Sequence, residues 1–284
     1  MSTVRPAAVA GMFYPGTPAV LGAAVRAYLE ETRPATPGVL PKALIVPHAG
    51  YVYSGPIAAS AYRRIAQGRG TIRRVVLMGP VHRVPIRGMA LPLATAFMTP
   101  LGSVAVDVEA VARVRDMPQV QFSQAAHALE HSLEVQLPFL QTVLDDFKIV
   151  PLAVGDASAE EVAVVLERLW GGAETLIVVS SDLSHYHSYA AAQQIDRGTA
   201  AAVVALEASL DHEQACGATP INGLALCARR RGLKPELIDL RNSGDTAGDK
   251  SRVVGYAAFA FTDRGAAGPQ ERMAGALAEA SGAR

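Results

Sequence analysis

Three apolar runs in this chain each lead, within a few residues, to a histidine. Ala43-Leu44-Ile45-Val46 runs into Pro47-His48, and Arg74-Val75-Val76-Leu77-Met78 into Gly79-Pro80-Val81-His82. Thr175-Leu176-Ile177-Val178-Val179 runs into Ser180-Ser181-Asp182-Leu183-Ser184-His185. Short runs without polar alternation read as strands buried on both faces. Pro47 lacks the N–H that a ladder needs and closes the first of them. Stretches of helical periodicity separate the runs, and strands alternating with helices imply a largely parallel sheet covered on both sides. The predicted fold is α/β, a three-layer α-β-α arrangement. In open sheets of this class ligands bind beyond the carboxyl ends of the strands, which is where His48, His82 and His185 fall.

The chain has 284 residues, of which 50% are hydrophobic and 18% charged, enough for one sizeable core. A single domain over residues 1–264 is expected, followed by an Ala/Gly-rich tail, 265–284, that frays. A formal net charge of +0 argues against a nucleic-acid surface. No uncharged apolar run approaches the roughly 18 residues of a membrane helix, and no basic segment followed by an apolar one marks a secretory signal at the N-terminus. Two cysteines, Cys216 and Cys227, make no disulfide framework, so a cytoplasmic location is expected.

Along the chain, helices are predicted over 18–31, from Pro56 through Ile65, and over 108–115, 189–210 and 220–231. A Pro-rich link spans 34–41. Residues 127–144 read as a long helix, or a loop running into one, with Leu133, Leu137, Leu140 and Leu144 on one face. Ser158 and Glu161 have capping-box spacing at the start of a helix. Residues 89–93 and 103–106 are short strands, either in the sheet or in a separate flap. Strands over 236–241 and 253–261 close the domain.

The three histidines, with Cys216 in a Gly-flanked turn, form a soft-to-borderline donor set that suits iron, zinc or copper better than magnesium or calcium. Three protein ligands with open positions is the catalytic pattern. The alternative is three histidines that satisfy loop carbonyls and an inert buried cysteine. Asp182 stands close enough in sequence to His185 to orient it as a general base, or it caps backbone groups. His127-Ala128-Leu129-Glu130-His131 matches H-x-x-E-H, which on a helix would put two histidines on one face around zinc, as in a peptidase; Glu130 and His131 could instead wall the pocket. Gly244-Asp245-Thr246-Ala247-Gly248-Asp249-Lys250-Ser251 fails the spacing of a phosphate loop and reads as a polar loop.

At these residues the chain resembles the Memo family, in particular its prokaryotic branch, the AmmeMemoRadiSam system protein B type. The likeness runs through Gly11-Met12-Phe13-Tyr14-Pro15, Pro47-His48-Ala49-Gly50-Tyr51, Gly79-Pro80-Val81-His82, Glu130-His131-Ser132-Leu133-Glu134, the Ser180–His185 segment, Cys216-Gly217 and Asn242-Ser243-Gly244-Asp245. That family is similar in fold to the LigB-type extradiol dioxygenases, a non-haem iron class. The resemblance implies His48, His82 and Cys216 as metal ligands, with Fe(II) first and copper or zinc as alternatives. It implies Asp182 and His185 as catalytic residues and Tyr51, His131 and Glu130 as pocket residues. Val81 stands where many relatives have Ser, and Arg83 where some have a second His. A cysteine in place of the dioxygenases' carboxylate ligand sets the site apart from ordinary ring cleavage. The expectation is an oxygenase-like redox enzyme acting on a small molecule. The alternative is a non-catalytic component that binds a metal, a phosphopeptide or a partner; the family's name implies radical-SAM and AMMECR-type proteins as such partners.

Overall fold

The structure, a computed structural model, describes residues 3–32 and 40–263. Its centre is a four-strand parallel ladder in the order Ala43–Val46, Thr175–Ser180, Arg74–Pro80, Lys148–Val154. These are the continuous apolar runs, and every position except Arg74 and Lys148 is buried, as expected where helices cover both faces. Antiparallel strands extend each side. Val253–Asp263 pairs with Ala43–Val46, and Leu233–Asn242 pairs with Val253–Asp263. On the other side Met89–Leu91 runs antiparallel to Lys148–Val154 and carries Val120–Phe122 beside it. Residues 89–106 therefore divide: the first part joins the main sheet, while Ala96–Thr99 and Gly102–Ala105 form a small separate sheet with Val4–Arg5.

Pro18–Glu30 packs on Tyr51–Ile65, and Ala159–Leu169 packs on Ala218–Arg231, which lies against the central strands. The Ser158/Glu161 capping box forms as predicted. The three-layer α/β prediction holds. The predicted tail at 265–284 and most of the Pro-rich link lie outside the described residues.

The helices expected over 108–115 and 189–210 are shorter, Val108–Ala112 and Tyr189–Val204, and two further stretches are shaped by a local cause. The helix expected to open at Pro56 begins at Tyr51 and contains Pro56. The hydrogen bond that Pro56 cannot make is to Val52, which is exposed, so the missing donor costs less than it would in the core. Of the two readings of 127–144, a long helix or a loop running into one, the second is found: Gln124–Ala128 ends, a turn follows, and a single 3-10 turn at Glu134–Gln136 leads into Leu137–Val143. The cause is Glu130. Its carboxylate accepts the backbone N–H groups of His131 and Ser132, both at 2.9 Å, and so competes with helix continuation at those residues.

Candidate metal centre

The His48 strand stops at Pro47, and the loop turns into the Tyr51–Ile65 helix with the His48 ring buried. A chain of buried hydrogen bonds decides which ring nitrogen faces the cavity. Tyr62 donates its hydroxyl to Gln136 Oε1 at 2.8 Å. Gln136 Nε2 then donates to the Pro47 carbonyl at 3.0 Å and to Ser180 Oγ at 2.8 Å. Ser180 gives its own proton to the Ser132 carbonyl at 2.6 Å. Toward His48 Nδ1, 2.9 Å away, Ser180 can therefore only accept. His48 carries its proton on Nδ1 and its lone pair on Nε2. That Nε2 lies 3.3 Å from Cys216 Sγ. Burial, with His131 and His82 nearby, holds the His48 pKa well below the usual histidine range, so the ring is neutral.

His82 follows its strand in the same way and is organised by Glu130. That carboxylate accepts the His82 backbone N–H at 2.6 Å and its ring Nδ1–H at 2.9 Å. Burial works to raise the Glu130 pKa, but hydrogen bonds from His82 and Ser132 outweigh it and hold it down at about 2. An ionised carboxylate on Nδ1 makes Nε2 the nitrogen of His82 that could face a metal, the usual arrangement behind a metal-binding imidazole. His131 Nδ1 is 3.3 Å from the same carboxylate, and its ring stacks on His82 with centroids 4.7 Å apart. Burial lowers the His131 pKa to about 4. His48, His82 and His131 each offer a nitrogen within 4.8 Å of the others.

Cys216 meets this group at His48. Burial, then the nearby Asp182, push its thiol up to about 12, so it is protonated here and would ionise only against a cation. Burial also raises Asp182 to about 7. Its carboxylate accepts the His48 backbone N–H at 2.7 Å, so its hydrogen bonding is to the His48 turn and not to His185. His185 lines the cavity with His48, His82 and His131, and burial lowers its pKa. The cavity has a volume of about 750 Å³. Tyr51, expected in the pocket, instead packs in the core on Phe139 and donates to the Val135 carbonyl at 2.6 Å. Tyr53, two residues on, lines the cavity. Glu130 stands behind the His82 and His131 rings.

The peptidase motif is not built. His127 and His131 are separated by a helix end, and the buried His127 ring is committed to the Ala90 carbonyl at 2.8 Å. The polar scaffold was less visible in the sequence. Arg5 reaches the carbonyls of His127 and Glu130 and pairs with Glu134 at 2.6 Å. Glu134 also accepts from Tyr14 and from the backbone of Ala8 and Val9. The N-terminal segment is thus tied to the loop that carries Glu130 and His131.

The family model described as Memo-like protein covers residues 5–260. The chain belongs to the Memo family. A MEMO1 family protein of Methanopyrus kandleri is 36% identical over 280 residues, 90% of this chain and 98% of its own. One of Aeropyrum pernix is 37% identical over 281 residues, again 90% and 98%. Among solved structures, an uncharacterized protein from Escherichia coli K12 shares the fold at a TM-score of 0.51 and 15% identity, covering 76% of this chain and 98% of that one. The segments that carry the Memo likeness each contribute a residue to the cavity wall, except Cys216-Gly217, which meets the site through His48. Among the described residues of this family member, no helix is long and apolar enough to cross a membrane.

Proposed function

We propose that this Memo-family protein is a metal-dependent, oxygenase-like redox enzyme whose metal, Fe(II) in first place, is held by His48, His82 and Cys216. The observation that carries the reading is the pair of assigned tautomers. His48 and His82 both have Nδ1 committed to an acceptor, which leaves Nε2 as the nitrogen for a metal, and Cys216 Sγ lies 3.3 Å from the His48 Nε2. The neutral His48 imidazole suits a metal, which competes with protons for the same lone pair. Two nitrogens and a sulfur favour iron, copper or zinc. His131 offers a third imidazole, and a His48/His82/His131 set is the competing ligand choice.

When bound, such a metal supplies a Lewis-acidic and redox-active centre with open positions. The chain's own residues do the rest. Glu130 holds His82 and His131 in register through an ionised carboxylate. Asp182 fixes the turn that carries His48. His185, with an imidazole on the cavity wall, moves a proton to or from the substrate. The test is elemental analysis of protein purified without oxygen, with oxygen consumption measured on the same sample. We expect a stoichiometric metal that His48→Ala and His82→Ala remove, and oxygen uptake that depends on it. A protein that binds no transition metal would overturn the reading. One that binds metal but consumes no oxygen with any candidate reductant would return it to a binding role.

A further inference from the structure

The cavity mouth carries a group that the metal reading does not use. Arg252 is the only Arg or Lys among the lining residues. Its guanidinium lies over the Tyr186 ring, 5.2 Å from the centroid. Among the described residues, no carboxylate pairs with it. The acid nearest in sequence, Asp249, spends both oxygens on Ser251, at 2.8 Å to its N–H and 2.6 Å to its hydroxyl. Neighbouring Lys250 turns to a different ring, Tyr189, at 4.5 Å. The cation at the mouth is therefore held by an aromatic face and not by a direct ion pair, although Asp249 lines the same cavity.

Tyr186 is held there against its backbone preference. It has φ of 62°, a left-handed conformation that non-glycine residues seldom adopt. It sits at the irregularity where His185 and His187 pair with Val254 and Val253. That bulge places His185 and Tyr186 on the cavity rim, beside Arg252, which immediately precedes the Val253–Asp263 strand. Strain of this kind persists where the surroundings impose it, commonly at ligand sites. Tyr186 is 64% exposed, so core packing does not account for its placement. Phe13, Tyr53 and Tyr256 line the same cavity, and aromatic walls favour a flat apolar body.

We propose that Arg252, braced on Tyr186, is an anion subsite, and that the substrate is a planar organic anion whose charge meets Arg252 while its body lies among the aromatic walls. This rests on the reading of the cavity as a substrate site, but not on the metal. Guanidinium recognises carboxylate and phosphoryl oxygens alike through paired N–H donors, so the chemistry named is the oxyanion.

The test titrates phenylacetate, phenylphosphonate and the uncharged phenylacetamide into metal-free and Fe(II)-loaded protein by calorimetry. Both anions should bind the metal-free protein about tenfold or more tighter than the amide, the scale of a hydrogen bond to a charged group. The tighter anion identifies carboxylate or phosphoryl chemistry. Arg252→Gln should abolish the preference, Arg252→Lys should keep part of it, and neither should change metal content. Equal binding of anion and amide overturns the proposal. So does a preference that survives Arg252→Gln, or one that appears only with metal bound. A preference that depends on Arg252 in a protein unable to hold metal would sink the metal reading and leave the anion subsite standing.

Discussion

Replacing Arg5 with Met should destabilise this protein more than any surface substitution, and for a reason visible in its contacts. Arg5 is 1% exposed and Glu134 is fully buried. The guanidinium donates at 2.6 Å to the His127 carbonyl, 2.6 Å to Glu134 and 2.5 Å to the Glu130 carbonyl. Arg5→Met keeps much of the packing volume but removes the counter-charge and those donors. Breaking one side of a buried pair costs about 3–5 kcal/mol, because a carboxylate remains in a dry site without compensation. In a protein of this size that corresponds to a fall in Tm of roughly 6–20 °C. The double variant Arg5→Met/Glu134→Gln removes the stranded charge as well and should recover about 1–2 kcal/mol, since the penalty belongs to the unpaired ion and not to the pair. Urea denaturation of wild type, both single variants and the double variant closes the cycle. An Arg5→Met loss below about 0.5 kcal/mol, or a double variant as unstable as the two singles summed, would refute the argument.

Ser180→Ala should free the His48 ring to exchange tautomers and weaken metal binding about 10- to 100-fold, the usual effect of removing an outer partner; nitrogen-15 chemical shifts of His48 report the tautomer directly, and an Nε2–H wild-type ring would show the assignment to be wrong. Cys216→Ser should lose most bound metal while Cys227→Ser keeps it, because Cys227 is buried against the Ala163 carbonyl; equal metal content in the two would transfer the third position to His131. His185→Ala should retain metal and lower metal-dependent oxygen uptake about 10²-fold, and a parallel loss of metal would make it a ligand. Burial depresses the His127 pKa to about 4, so its contribution to stability is intact above the unfolded value near 6.5 and is lost as pH falls toward 4. That amounts to about 3 kcal/mol, and His127→Gln should show a shallower decline in stability over that window; an unchanged slope would assign the acid limb elsewhere.

The parts of the fold that were legible in the sequence are those where one physical cause dominates. Val75 to Met78 and Leu176 to Val179 are apolar without interruption, and only a strand covered on both faces asks for that. His48 and His82 follow from them, because a strand end fixes where the next few residues can lie. The Glu130 segment stays open in the sequence between a long helix and a loop running into one, because its leucines do keep helical spacing. What breaks the helix there is a single carboxylate capturing N–H groups from His82, His131 and Ser132, and no periodicity encodes such a capture. Tyr51 was misplaced for a related reason. With the helix taken to begin at Pro56, Tyr51 belonged to a loop, whereas in a helix starting at Tyr51 its ring turns inward and Tyr53 faces the cavity. Arg5 and Glu134 lie 129 positions apart, and nothing local marks either as buried.

The same contacts explain why the centre sits where strands end and not inside the sheet. Within the ladder the backbone groups pair strand to strand, and the inner positions Val75 to Met78 and Leu176 to Val179 pack without charged or hydroxyl groups. Past Pro47, Pro80 and Ser180 the backbone groups lose their strand partners and must find others. Asp182 takes the N–H of His48, Glu130 takes those of His82, His131 and Ser132, and Ser180 donates to Ser132. The residues that satisfy the frayed ends of the sheet are therefore the ones that orient the imidazoles. A substitution in this layer acts twice, once on the stability of the strand ends and once on the direction of a ring nitrogen. Glu130→Gln shifts the balance between the two effects: its one amide oxygen can still accept the His131 and Ser132 N–H groups, which share a single oxygen, while the amide nitrogen replaces the acceptor of the His82 backbone N–H and the charge that holds the His82 proton on Nδ1 is lost. Metal affinity should fall further than stability does, and the reverse order would mean that Glu130 serves the fold alone.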